Sequence, residues 1–103
     1  MAEFRLSPAA QVDLDGIFDY SVRKWGIGQA VRYTQELENL CVELAEAPTQ
    51  ASDCGHIRPG YRRGAVGRHF IYFRVEDFGI AVIRILQCGR LAPTDATLSQ
   101  RRL

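Results

Sequence analysis

The side chains best equipped for chemistry in this sequence are its arginines. Twelve of the thirteen basic residues are arginine, and Lys24 is the single lysine. A guanidinium makes fixed, forked contacts to carboxylate or phosphate, whereas lysine is a mobile charge and a frequent proton carrier. Nine arginines fall in residues 58–103 against Glu76, Asp77 and Asp95, a net of +6. Residues 1–57 carry four basic and nine acidic side chains, a net of −5. Such segregation points to a charged partner. Arg68, Arg84 and Arg90 could stabilise a phosphorane during RNA cleavage, but attack by a 2′-hydroxyl also needs a base and an acid. Beyond Tyr72 the chain has no tyrosine, histidine or lysine. His69 falls on the predicted core face of its strand, where a satisfied structural imidazole is the simpler reading. The sequence argues against catalysis.

Other candidate chemistry is weaker still. Asp13, Asp15 and Asp19 interleave along a predicted helix with no histidine beside them, so they read as a solvated face rather than a metal site. Cys41, Cys54 and Cys88 are odd in number and widely spaced, which fits neither a disulfide framework nor a zinc knuckle. They read as two buried thiols, Cys41 and Cys88, and one loop thiol, Cys54. No metal or cofactor is expected. The opening residues lack the apolar stretch of a signal peptide, and no apolar run approaches the ~20 residues of a membrane span. A reducing cytoplasm is the expected setting.

The elements that must position these residues follow from pattern. At 103 residues, 47% of them hydrophobic, the chain predicts one α+β domain, with residues 91–103 as a tail. Residues 3–6 read as a strand. Ser7 and Pro8 make a helix start, a cap followed by the favoured first helical residue. Leu14, Ile17, Phe18, Ser21 and Trp25 then recur on one helical face, which ends near Gly26. A second helix is predicted over residues 29–47, with Ala30, Tyr33, Leu37, Leu40, Cys41 and Leu44 as its stripe. A connection of two to four residues makes the pair an antiparallel hairpin. Trp25 and Tyr33 fall on the stripes and read as core between the helices. After a loop over residues 48–60, strands are expected at 61–66, 68–76 and 80–88. The last two are joined by a turn with Gly79 late in it, so they form a hairpin.

Strand alternation assigns faces. His69, Ile71, Phe73 and Val75 fall on the helix side, and Arg68, Phe70, Tyr72 and Arg74 on the other. In the last strand Ala81, Ile83, Ile85 and Gln87 oppose Ile80, Val82, Arg84 and Leu86. Both faces are apolar apart from one arginine, so a strand covered on both sides is expected. The helices cover one side. A partner is the simple candidate for the other. Phe70, Tyr72, Val82 and Leu86, rimmed by Arg68, Arg74 and Arg84, then form the expected groove for an acidic amphipathic segment. Aromatic strands with arginines also suit nucleic acid, but so apolar a surface favours the groove.

The order strand, helical hairpin and arginine-rich three-stranded meander resembles the RelE/ParE toxin superfamily. The segments that carry the likeness are FRLSPAAQVDLDGIFDYSVRKWG at 4–26, QAVRYTQELENL at 29–40, and IRPGYRRGAVGRHFIYFRVEDFGIAVIRIL at 57–86. The ParE branch is the nearer match. The resemblance implies a toxin of a type II toxin–antitoxin pair, neutralised by a ParD-like antitoxin, that traps the DNA cleavage complex of DNA gyrase. It implies contact with DNA only through gyrase, and none with a membrane. Target contacts are expected at Arg58, Arg62, Arg63, Arg90, Arg101 and Arg102. Gln87 and Cys88 stand where such chains often carry a histidine. The alternatives are a RelE-like ribosome-dependent mRNA endonuclease, whose proton-transfer groups are lysines or late Glu, His and Tyr, and a non-toxic antitoxin-binding module.

Overall fold

The computed structural model describes residues 2–53 and 59–87. Cys54, Arg58, Cys88, Arg90, Arg101, Arg102 and the predicted tail lie outside the described residues. Strand β1 (Glu3–Leu6) leads into helices α1 (Pro8–Trp25) and α2 (Ile27–Glu46). A 3₁₀ turn (Pro48–Gln50) and a short strand β2 (Ser52–Asp53) follow, then β3 (Tyr61–Val66), β4 (His69–Glu76) and β5 (Gly79–Gln87). The five strands form one sheet in the order β1-β5-β4-β3-β2, with β1 parallel to β5 and the other pairs antiparallel. Among the described residues no helix is long and apolar enough to cross a membrane.

Ser7 couples the first strand to the first helix. Its Oγ accepts the Ala10 N–H at 3.0 Å, capping α1, and donates to the Ile83 carbonyl at 2.8 Å. Its own N–H donates to the Val82 carbonyl at 2.9 Å. The cap predicted from sequence thus also continues the β1–β5 ladder.

The helical hairpin is tighter than the glycine pattern suggests. Gly26 alone makes the reversal at φ 92°, donating to the Val22 carbonyl and accepting from the Ala30 N–H. The second helix therefore starts at Ile27, and Gly28 lies inside it. Ala10, Leu14, Leu37, Cys41 and Leu44 pack on Ile71, Phe73, Ile80, Val82 and Ile85, forming the main core. Tyr61, Tyr72, Ala81 and Ile83 form a separate cluster on the sheet face away from the helices.

A β-bulge corrects the faces expected for β5. Phe73 pairs with Val82 but Tyr72 pairs with Arg84, so Ile83 is an extra residue on β5. Simple alternation therefore fails past Ile83. Ile83 stays with Ala81 on the outer face, while Ile85 joins Ile80 and Val82 against the helices. Val82 is fully buried there and is no part of an outer groove. Strand β4 also starts one residue later than expected, because Gly67 and Arg68 form the β3–β4 turn.

Candidate functional site

The outer face of the sheet alternates arginine with aromatic rings. Cross-strand register sets Arg5, Ala81, Arg74 and Tyr61 in one row across β1, β5, β4 and β3. The Arg63 guanidinium lies 4.1 Å from the centroid of Phe70, and its Nη1 donates to the Tyr72 hydroxyl at 3.3 Å. Phe70 meets Tyr72 edge-on with centroids 6.1 Å apart. Arg5 sits 4.0 Å over the Phe78 ring. Each stacked pair fixes a cation on an apolar floor, where attraction to the ring is strongest once water is excluded. Half-buried Phe70, Phe78 and Leu86 pack against the buried Tyr72, Ala81 and Ile83. Arg74 is paired with Glu76, a hydrogen bond that holds its guanidinium pKa above the ordinary value.

A second surface is a cleft of about 750 Å³ between α1, the start of α2, the β3–β4 turn and the end of β5. Arg84 donates to Asp13 through Nε at 2.7 Å and Nη2 at 2.9 Å, and Asp13 also accepts the Ile85 N–H at 3.0 Å. That carboxylate ties α1 to the strand just past the bulge, beyond the end of the β1–β5 pairing, where among the described residues Asp13 takes the Ile85 N–H. Across the cleft, the Tyr33 hydroxyl accepts the Arg68 N–H at 3.0 Å and lies 3.2 Å from the Val66 carbonyl and 2.6 Å from His69 Nδ1. Gly67 must be glycine there: its φ is 54°, and a Cβ would stand 2.5 Å from the Tyr33 ring. Burial lowers the His69 pKa, and the Asp13 charge partly offsets this. The cleft can set a carboxylate or phosphate against Arg68. Its imidazole and its second guanidinium are engaged within the fold. Among the described residues no group of His, Cys, Asp and Glu could hold a metal.

The expected groove is thus divided. Phe70, Tyr72, Leu86 and Arg74 belong to the outer face. Val82 lies in the helix-side core, and Arg68 and Arg84 line the cleft instead. Arg62 and Arg63, expected to act together, point to opposite faces. Arg62 donates to the Ala51 carbonyl at 3.0 Å, while Arg63 joins Phe70 and Tyr72. One stripe residue is also displaced: Trp25 is 51% exposed, edge-on to Tyr20. Tyr33 packs against the main core as expected, and its hydroxyl also clasps the β3–β4 turn. Sequence reasoning missed Arg5, Tyr61 and Phe78 on the outer face. Alternation from Tyr72 through its antiparallel partner could have found Tyr61 and Arg63. Arg5 needed the parallel β1–β5 pairing, for which no local signal exists.

A family model described as the ParE toxin of type II toxin–antitoxin system, parDE, matches residues 4–92. Toxin ParE1 of Mycobacterium tuberculosis (strain ATCC 25618 / H37Rv) is 40% identical over 86 residues, 82% of this chain and 88% of the relative. Toxin ParE1 of Caulobacter vibrioides is also 40% identical over 86 residues, 84% of this chain and 88% of the relative. Toxin ParE of Escherichia coli is 31% identical over 72 residues, 70% of each chain. Among solved structures, one of the chromosomal ParDE TA system from P. aeruginosa has the same fold, with a TM-score of 0.73 at 24% identity. That match covers 85% of this chain and 97% of the other.

Proposed function

The chain belongs to the ParE toxin family of type II toxin–antitoxin systems, and from that premise we propose that a ParD-like antitoxin silences it and that the free toxin traps the DNA cleavage complex of gyrase. The observation that carries the reading is the outer sheet face, where Arg5 stacks on Phe78, Arg63 stacks on Phe70 and donates to Tyr72, and Arg74 lies in the same row as Arg5. Such a face suits a segment that is apolar along one side and acidic along the other. The antitoxin seats there and covers the arginines. Gyrase inhibition then needs binding alone, by cations that meet acidic protein or phosphate. With Arg63 assigned to the antitoxin face, Arg62, Arg58, Arg90, Arg101 and Arg102 form the proposed target set. Phe70→Asp tests the antitoxin face: it puts an unpaired carboxylate into the interface, at a cost of several kcal/mol. A folded Phe70→Asp variant that binds antitoxin with unchanged affinity would place the interface elsewhere.

A second reading, a ribosome-dependent mRNA endonuclease, draws on one observation: Arg68, Arg84 and His69 line the same cleft. Asp13 fills the Arg84 fork and Tyr33 meets the His69 nitrogen, so that chemistry would require both pairs to open. Primer extension on a reporter transcript after induction should show no new breaks. Discrete breaks that vanish with Arg84→Ala would favour the endonuclease.

A further inference from the structure

Helix α2 has an exposed side that neither the core nor the outer sheet face uses. Gly28, Val31, Gln35, Glu38 and Val42 recur alternately at three and four residues, the spacing that keeps side chains in one seam along a helix. All five are exposed, Val31 at 53% and Val42 at 50%. Ala30, Leu37, Cys41 and Leu44, on another side of the helix, are buried. The charges beside the seam are set against the helix that carries them. Arg32 is the one cation of α2, and Glu36, Glu38, Glu43 and Glu46 follow it towards the C-terminal end, where the helix dipole is negative. No basic residue stands in the last turn to offset them. Among the described residues Arg32 bonds only Gln29, and none of these glutamates holds an ion pair. Within a single chain this order costs stability. A neighbouring helix running the opposite way reverses it, because its acidic end then lies beside the basic end of the first.

We propose that this side of α2 is a contact between two copies of the chain, packed antiparallel about a twofold axis. Such a contact must be self-complementary, and this seam meets the condition. In one antiparallel register Val31 falls opposite Val42 of the second copy and Gln35 opposite its Glu38, and each pair occurs twice. Gln35 gives one amide N–H to Asn39 and has another for that carboxylate. On the flank Arg32 lies beside Glu43 of the second copy, a pairing that one chain does not make. A Cβ at Gly28 would meet nothing within 4 Å, so glycine there leaves room for the second backbone near each end of the seam. A partner of single charge would match only one half of α2, whereas a second copy matches both. The outer sheet face lies on the side of the sheet away from the helices, so two toxins can pair in this way with antitoxin in place. The contact is one helix pair, smaller than an obligate interface, which makes the association weak and dependent on concentration.

Sedimentation velocity of the full chain over a concentration series reads this contact directly. The wild type should pass from monomer to dimer with a Kd on the order of 100 μM. Val31→Glu sets a carboxylate against Val42 of the second copy and should weaken dimerisation by at least about tenfold, with the melting temperature unchanged. Arg32→Glu and Glu43→Arg each bring like charges together, at two places in the dimer, and should weaken it about fivefold. Combined in one chain, the two exchanges restore opposite pairing and should restore the wild-type Kd. That rescue identifies the antiparallel register, and it decides the matter alone if Val31→Glu fails to fold. A wild type that stays monomeric at about 1 mM overturns the proposal. So does a dimer that Val31→Glu and Arg32→Glu leave intact, which would put the contact on another surface. A Val31→Glu chain that loses antitoxin rather than self-association gives this side of α2 to the antitoxin and also overturns it. The antitoxin face itself stands or falls separately, with Phe70→Asp.

Discussion

Asp13 does more structural work than any other acidic side chain of α1, accepting three hydrogen bonds while its side chain is only 14% exposed. Its loss leaves the Arg84 charge largely desolvated and the Ile85 N–H without its acceptor. Asp13→Ala should cost about 2–4 kcal/mol, read as a fall in the urea midpoint at constant slope. A double-mutant cycle with Arg84→Ala should show that most of the loss is shared. His69 gives a pH test. Its pKa is lowered in the fold, so the unfolded chain takes up the proton first as pH falls. This contribution to stability is complete above the unfolded value of about 6.5 and is lost as pH drops through the lower folded value. His69→Asn should flatten the decline in urea midpoint between pH 7.5 and pH 5.5. An equal slope in both proteins would contradict the assignment. Cys41 gives a third test. Burial, aided by Glu38, pushes its thiol up to about 12, so it should resist iodoacetamide at pH 8 until the chain unfolds, as mass mapping would reveal.

At the scale of elements, two glycines make opposite predictions. Gly79 begins β5 at φ 141°, and a Cβ there would stand 2.0 Å from the Glu3 carbonyl oxygen. Gly79→Ala should cost about 2 kcal/mol or more and loosen β1 first, visible as faster amide exchange at residues 3–6. Gly16 faces open space, so Gly16→Ala should stabilise α1 by about 0.5–1 kcal/mol in thermal melts. Local chemistry made most of these elements legible. The Ser7–Pro8 cap, the stripes of both helices and the Gly79 turn placed β1, α1, β3 and β5 to within a residue. Less visible were features set by tertiary contact. Strand β2 is two residues long and exists only by pairing Ser52 and Asp53 with Arg63 and Arg62. The bulge at Ile83 leaves no mark in a run of apolar residues, yet it sends Arg84 to Asp13 and Val82 to the core. Val82 and Arg84 left the expected groove for that one reason, while Arg68 left it because it belongs to the β3–β4 turn. Trp25 sits on the helical stripe but one residue before the hairpin turn, where α2 no longer covers it.

For the whole molecule, the segregation of charge seen in the sequence becomes a division between layers. Among the described residues the helices carry most of the acid and the strands carry most of the arginines. In the account above, antitoxin covers the outer sheet face, and its release frees the toxin to engage gyrase and its DNA. Charge-driven encounter implies that inhibition falls as salt rises, because exposed charges are screened beyond ~8–10 Å at physiological ionic strength. The most direct test of the central claim is supercoiling by purified gyrase in the presence of the free toxin, with DNA scored after protein digestion. The account predicts loss of supercoiling, accumulation of linear DNA, and reversal of both by stoichiometric antitoxin. A well-folded toxin in large excess that neither blocks supercoiling nor traps cleaved DNA would contradict it and leave a non-toxic antitoxin-binding module.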